Sequence, residues 1–360
     1  MGAKLQDLDI HLHFVTLYER NYSRSGNLLS GLSRLGIDTS FSVISGGFLL
    51  RFKYISSLVT NQKQNTVFVV MSPSHLLTIY LKLARANKII LDAGWSLTEA
   101  EFSRGATRRI PQVCKALLVD YLSFMCANLI LVESNVEAKF LTNKYRNLKE
   151  KLIVTYTGVS EPDLGITPVC PQEMVSLPRN LRFILFRGKI NNEAGFQKIL
   201  DIGSALRTSG FLVVIASPNL NIGSINAENV LAIDRWIQQS EINYLYLNSI
   251  LVIGQLGSIS RLDRTIPHKY FEAIYFGRPY ISKLTRSIEE ISQGGKGVIE
   301  LVSQTEQDLA GMISAILQDN SLLTRKGTEA RQIWDSGISS EGIAKKLISE
   351  EKFKLLIYQP

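Results

Sequence analysis

Short β-branched apolar runs alternate with longer amphipathic stretches through the first half of the chain, the pattern of βαβ units stacked into a parallel sheet. The runs predict strands at Ile10–Leu17, Phe41–Ile44, Val67–Val70, Lys88–Leu91, Leu129–Val132 and Leu152–Val154. Between them, Asn27–Leu35 has helical spacing and stops at Gly36, a carboxy-terminal glycine signal, and Pro73 and Ser74 open another helix. Ala116–Val132 is the most apolar long stretch. Asp120 and Asn128 interrupt it, and it falls short of the roughly 20 residues a membrane span needs, so it predicts a buried helix followed by a strand.

The periodicity lapses between Thr157 and Asn180, where Pro162, Pro168, Pro171 and Pro178 supply four of the ten prolines, and this reads as a flexible linker. After it the pattern restarts, with strands predicted at Phe183–Phe186, Phe211–Ile215, Ser249–Ile253 and Pro279–Ile281. Helices follow at Gln307–Leu317, Leu322–Trp334 and Glu341–Phe353. The expected class is α/β, with two Rossmann-like doubly wound domains facing across a cleft. Their expected extents are 1–160 for the first domain, 161–180 for the linker and 181–335 for the second, with 336–360 packing back on the first. Ligands of such sheets bind outside the carboxyl ends of the strands, at helix amino termini, so the cleft is where chemistry is expected.

Composition narrows the class. A 45% hydrophobic and 20% charged chain is neither disordered nor fibrous. Met1–Asp9 holds polar and charged residues where the apolar core of a signal peptide would begin, which predicts a cytoplasmic protein. Cys114, Cys126 and Cys170 form no CxxC pair and have no histidine at ligand spacing, so no structural zinc is expected. The net charge of +8 is concentrated early, +6 up to residue 165 and +2 beyond, and suits an anionic partner. No helix joins a basic face to aromatic spacing, which argues against nucleic acid. Arg104, Arg108, Arg109 and Lys115 precede the apolar helix and could rest on anionic lipid, each contributing about 1 kcal/mol, which would put the protein at the inner face of a membrane.

The most informative segment is Thr265-Ile-Pro-His-Lys-Tyr-Phe-Glu-Ala-Ile-Tyr-Phe-Gly-Arg-Pro-Tyr-Ile281. Pro267 suits the first turn of a helix, whose N–H groups and positive dipole end attract a diphosphate. Lys269 adds a full charge there. Glu272 lies one turn in, on the side of His268, where its carboxylate can accept two hydrogen bonds from a ribose diol. A second segment, Phe183-Ile-Leu-Phe-Arg-Gly-Lys-Ile-Asn-Asn-Glu-Ala-Gly195, places Gly188 where backbone can approach phosphate, between the cations Arg187 and Lys189.

The first of these segments resembles the P-x-K-x-x-E-A-x-x-x-G-x-P-x-I signature of nucleotide-sugar-dependent GT-B glycosyltransferases, particularly the retaining group classed as family four. The second is similar to the strand, glycine loop and helix that open the donor domain in that family. The resemblance implies that Glu272 binds the nucleotide ribose, with Gly188, Pro267, His268 and Lys269 also contacting the donor. Arg187 and Lys189 would neutralise the leaving diphosphate. Family members usually carry lysine where this chain has Ala194, and many carry a second glutamate where it has Arg264, which bears on donor identity and activity.

The first half resembles the family more diffusely, through Tyr18-Glu-Arg-Asn21 with Gly26-Asn27, Ile89-Ile-Leu-Asp-Ala-Gly-Trp-Ser96, Ala127–Ser134 and Lys151–Gly158. Gly26 and Asn27 are the acceptor-binding residues this implies. Asp92, at a strand end, can hydrogen-bond an acceptor hydroxyl or steady charge on the donor sugar, or else cap a loop. Trp95 can stack on a sugar face or anchor its loop. His11, His13 and His75 read as packed structural histidines. The expected activity is transfer of a sugar from a nucleoside diphosphate sugar to a hydroxyl of a glycan or lipid-linked saccharide, with retention and without a metal or other cofactor. A catalytically silent GT-B scaffold and a sugar-nucleotide epimerase are the alternatives.

Overall fold

The computed structural model describes residues 10–18, 23–103, 110–159, 166–178, 180–191, 193–207, 209–218, 229–302 and 306–358. Glu19, Arg20, Asn21, Arg104, Arg108, Arg109 and Pro162 lie outside the described residues. The chain forms two compact units, Met1–Ser160 with Gly337–Pro360, and Glu161–Ser336.

In the first unit, β1 (His11–Thr16), β2 (Asp38–Val43), β3 (Thr66–Val70), β4 (Ile89–Gly94), β5 (Leu129–Val132) and β6 (Leu152–Val154) form one sheet in the order β2-β1-β3-β4-β5-β6. Every pairing is parallel. A parallel sheet is covered on both faces, which is why β5 and, after Thr66, β3 are unbroken apolar runs, both strands buried at every position. One face packs Leu28, Leu29 and Leu32 of the helix Ser23–Arg34 together with Ile343, Leu347, Phe353 and Leu356 from the end of the chain. Gly31 makes this contact possible: a Cβ there would stand 2.0 Å from the Ser340 carbonyl oxygen. The other face packs Ile55 and Val59, Leu77 and Leu81, Phe124, and Leu141, from four helices.

The second unit holds β7 (Arg182–Arg187), β8 (Phe211–Ala216), β9 (Val230–Ile233), β10 (Leu251–Ile253), β11 (Tyr280–Ser282) and β12 (Val298–Glu300). Their order, β12-β11-β10-β7-β8-β9, is again wholly parallel and reverses direction between β7 and β10, the switch point of a Rossmann sheet. The described part of the proline-rich segment is seated on this unit: Met174 is buried, and Glu173 accepts from Arg235 Nε and Nη2 at 2.8 and 2.9 Å.

Two expectations require correction. The helix Ile110–Cys126 is buried on one side only, through Ala116, Asp120, Ser123 and Phe124. Its other side leaves Leu117, Leu118, Tyr121, Leu122 and Met125 exposed. The single helix read over Glu341–Phe353 is two, Ser340–Ser349 and Glu351–Tyr358, because Glu350 adopts an extended ψ of 130°. No described helix is long and apolar enough to cross a membrane.

Candidate active site

β7 ends at Arg187, and the next residue, Gly188, has φ +133°, a conformation that side-chain-bearing residues rarely adopt. Its amide donates to the Ala216 carbonyl at 3.1 Å, so the turn leaves the sheet in a fixed direction. The helix His268–Tyr275 starts beside this turn: Lys269 Nζ lies 3.5 Å from the centre of the Phe186 ring, and a Cβ on Gly188 would stand 3.6 Å from that same ammonium. Pro267 is the N-cap, extended at ψ 136°, with no side chain capping the first turn. The end of β7 and the start of this helix thus meet at the switch point, where a Rossmann sheet takes its ligand.

Glu272 is the centre of the arrangement. It is buried, and its two oxygens are divided between partners: Tyr246 Oη donates to Oε2 at 2.6 Å and Arg187 Nη1 donates to Oε1. His268 Nδ1 is 3.5 Å from Oε1, as expected for residues one turn apart. Burial opposes ionisation of this carboxyl, but the charges of Arg187 and His268 and the Tyr246 hydroxyl outweigh it and bring the pKa down to about 2. Lys269 experiences the reverse balance. Burial, with Arg187 adding repulsion, takes its pKa well below the ordinary lysine range despite attraction from Glu272 and Glu193. His268 Nε2 has no hydrogen-bond partner among the described residues. Lys189 is exposed at the mouth of the glycine turn.

The loop after the turn is tied down by backbone. Leu256 N donates to Ala194 O and Gly257 N to Glu193 O, each at 3.1 Å, and Arg261 pairs with Glu193. Gly195, at φ +66°, lies so close that a Cβ would meet the Leu256 carbonyl carbon at 2.7 Å. Ala194 is fully buried in the core of this unit, so no cation stands at that position. Arg264 is also buried.

The expected acceptor residues lie in the first unit. Asp92 is buried, and both oxygens are engaged: Oδ1 accepts from Arg24 Nε at 2.7 Å and Oδ2 from Ser25 Oγ at 2.6 Å. Arg24 continues to the Thr155 carbonyl at 2.8 Å and hydroxyl at 2.9 Å, clamping β4 to the end of β6. Gly94 permits that crossing, since a Cβ there would stand 3.2 Å from Arg24 Nε. Asn27 spends its amide hydrogens on the carbonyls of Thr157 and Gly158, while Gly26 beside it is partly exposed. Trp95, half-buried, lines a cavity of about 430 Å³ with Tyr18, Pro73, Glu101 and Lys115.

His11 bonds to Asp38 and Ser40, His13 to Ser40 and Ser42, and His75 is wholly buried, as packed structural histidines should be. Sequence reasoning missed Tyr246, Arg24 and Arg261. Tyr246 sits in the helix Gln239–Asn248 among apolar neighbours, and the partners of the two arginines are 68 residues distant in each case.

No protein-family model matches the chain, and no curated protein does. Solved structures do. HepE from Anabaena, in complex with UDP and glucose, superposes with a TM-score of 0.67 at 13% identity, over 93% of this chain and 97% of that one. A glycosyltransferase from Rickettsia africae gives 0.62 at 13%, over 98% and 100%. Sucrose-phosphate synthase from Thermosynechococcus elongatus gives 0.65 at 10%, over 93% and 96%. At such identities the likeness is one of architecture, and the architecture shared, two Rossmann-like units in one chain, is the GT-B fold.

Proposed function

We propose that the chain transfers a glycosyl unit from a nucleoside diphosphate sugar to a hydroxyl of a glycan or lipid-linked saccharide, with retention at the anomeric carbon. The observation that carries this reading is the convergence of Gly188, Lys269, His268 and Glu272 at the switch point of the second sheet. The turn beyond Gly188, whose own amide is spent on Ala216, and the uncapped first turn after Pro267 would offer backbone N–H groups to a diphosphate. His268 Nε2, buried and without a hydrogen-bond partner among the described residues, would turn to meet the ligand. Glu272, held ionised, would accept from the ribose, with Arg187 and Tyr246 fixing its orientation. HepE and Staphylococcus aureus MnaA were both crystallised with UDP, which makes uridine the first base to try.

As the bond between the sugar and the diphosphate breaks, negative charge builds on the departing phosphate. Arg187, Lys189 and Lys269 with the helix start would supply the positive field that a divalent cation otherwise provides. The acceptor would lie against the first unit, with Trp95 stacking on a sugar ring and Gly26 leaving room beside it. Asn27 and Asp92, whose polar atoms are already engaged, would shape that surface from behind.

The test is release of nucleoside diphosphate from a panel of UDP- and GDP-sugars, by wild type and by Arg187→Ala. Release by the wild type and its loss in the variant support transfer. Nucleotide binding without release from any donor would instead assign a binding scaffold.

A further inference from the structure

The helix Ile110–Cys126 carries two apolar faces. Ala116 and Phe124 turn to the core, whereas Ile110, Leu117, Leu118, Tyr121, Leu122 and Met125 are exposed. The spacing of 117, 118, 121, 122 and 125 makes one stripe on the solvent side, where a helix covering a parallel sheet is normally polar. On the same face of the sheet, the helix Phe48–Thr60 exposes Phe48, Leu49, Leu50 and Tyr54 in its first two turns. The helix Leu76–Leu83 lies in this layer too and ends at exposed Leu83, and Phe48 rests against its Tyr80 with ring centres 5.3 Å apart. Exposed apolar side chains on neighbouring helices of one layer mark an interaction surface.

Charge identifies the occupant. Between Asp38 and Asp92 the sequence has no acidic residue and six basic ones, among them Arg51, Lys53, Lys82 and Arg85. Asp120, the one acid of the helix Ile110–Cys126, is wholly buried and accepts from Ser96, Leu97 and Thr98. Lys115 is exposed at the start of the stripe. Glu99 and Glu101, on the flanking helix Leu97–Ser103, are half-buried, and Glu150 is exposed beyond Met125, where Lys151 is its neighbour in sequence. A second copy of the chain would bring like charges together across this face. An anionic bilayer would take the apolar side chains among its acyl chains and the cations among its headgroups.

We infer that this helical layer docks on an anionic membrane surface, with the stripe from Leu117 to Met125 and the first turns of Phe48–Thr60 inserted. Docking would present the acceptor side of the first unit to lipid-linked substrates, yet it stands or falls independently of the transfer reading.

The experiment is co-sedimentation of the full chain with vesicles of phosphatidylcholine alone or mixed equally with phosphatidylglycerol. Wild type is compared with Leu118→Glu/Leu122→Glu, two exposed positions. Wild type should sediment with the anionic vesicles, and the double variant should bind about tenfold more weakly or less while keeping the wild-type melting temperature. Wild type left in the supernatant with both vesicles, or a variant that sediments equally well, would overturn the inference. So would a lipid-free wild-type dimer that the same substitutions dissociate.

Discussion

Tyr246 Oη donates to Glu272 Oε2 at 2.6 Å, with both side chains buried, so the carboxylate at the proposed ribose position is held from behind by a phenol. Burial and the neighbouring carboxylate push the phenol pKa well up, which keeps it protonated as the donor. Tyr246→Phe removes that donor alone. It should lower stability by roughly 1.5–3 kcal/mol, the range for hydrogen bonds to charged groups, as read from urea unfolding. An unchanged midpoint would show that the bond contributes nothing.

The same carboxylate sets an acid limit. Its folded pKa of about 2 lies below the ordinary 4.5, so its stabilising contribution is complete above 4.5 and is lost as pH falls through about 2. The difference corresponds to about 3 kcal/mol at most. Unfolding free energies measured between neutral pH and pH 3 should fall less steeply in Glu272→Gln than in wild type, and parallel curves would contradict this.

Lys269 gives a proton linkage of opposite sign. Its pKa is depressed by burial, and a diphosphate arriving beside it would raise that pKa again. UDP binding at alkaline pH should therefore take up protons, detected as a dependence of the binding enthalpy on the ionisation enthalpy of the buffer. A Lys269→Met variant should lose the dependence.

Asp92 offers a contrast between structure and catalysis. Removing its charge leaves the Arg24 guanidinium buried without its carboxylate, which is strongly destabilising, about 3–5 kcal/mol for a broken buried pair. Asp92→Asn should lower the melting temperature sharply. A variant as stable as wild type but inactive would place Asp92 on the substrate instead.

Gly188 separates backbone from space. An added Cβ would meet Lys269 only at ordinary contact distance, so Gly188→Ala is burdened by its φ of +133°, at roughly 1–3 kcal/mol. It should also weaken UDP binding, because a methyl group would stand where phosphate approaches. Full retention of affinity would remove this turn from the phosphate site.

Much of the fold is legible in the residues because parallel strands buried on both faces are unbroken apolar runs, as Val67–Val70 and Leu129–Val132 are. β9 and β12 were missed for other reasons: β9 is an apolar run as short as β5 but partly exposed at a sheet edge, and β12, at the other edge, has two apolar residues before Glu300. The break at Glu350 lacks a proline or glycine to announce it. Apolar spacing in Ile110–Cys126 could not tell a core-facing stripe from a solvent-facing one, since both follow the helical period. In the site, the residues of one helix were readable together because His268, Lys269 and Glu272 are fixed by helical spacing. The engagement of Asp92 by Arg24 and of Glu272 by Arg187 was not, since these pairs are 68 and 85 residues apart and only the folded sheets join them.

The most direct test of the account is calorimetric titration of UDP into the wild-type chain and into Glu272→Gln. The wild type should bind, and the variant, folded as judged by circular dichroism, should bind about tenfold or more weakly. Equal affinity in the two proteins, or no nucleoside diphosphate bound by the wild type, would contradict it.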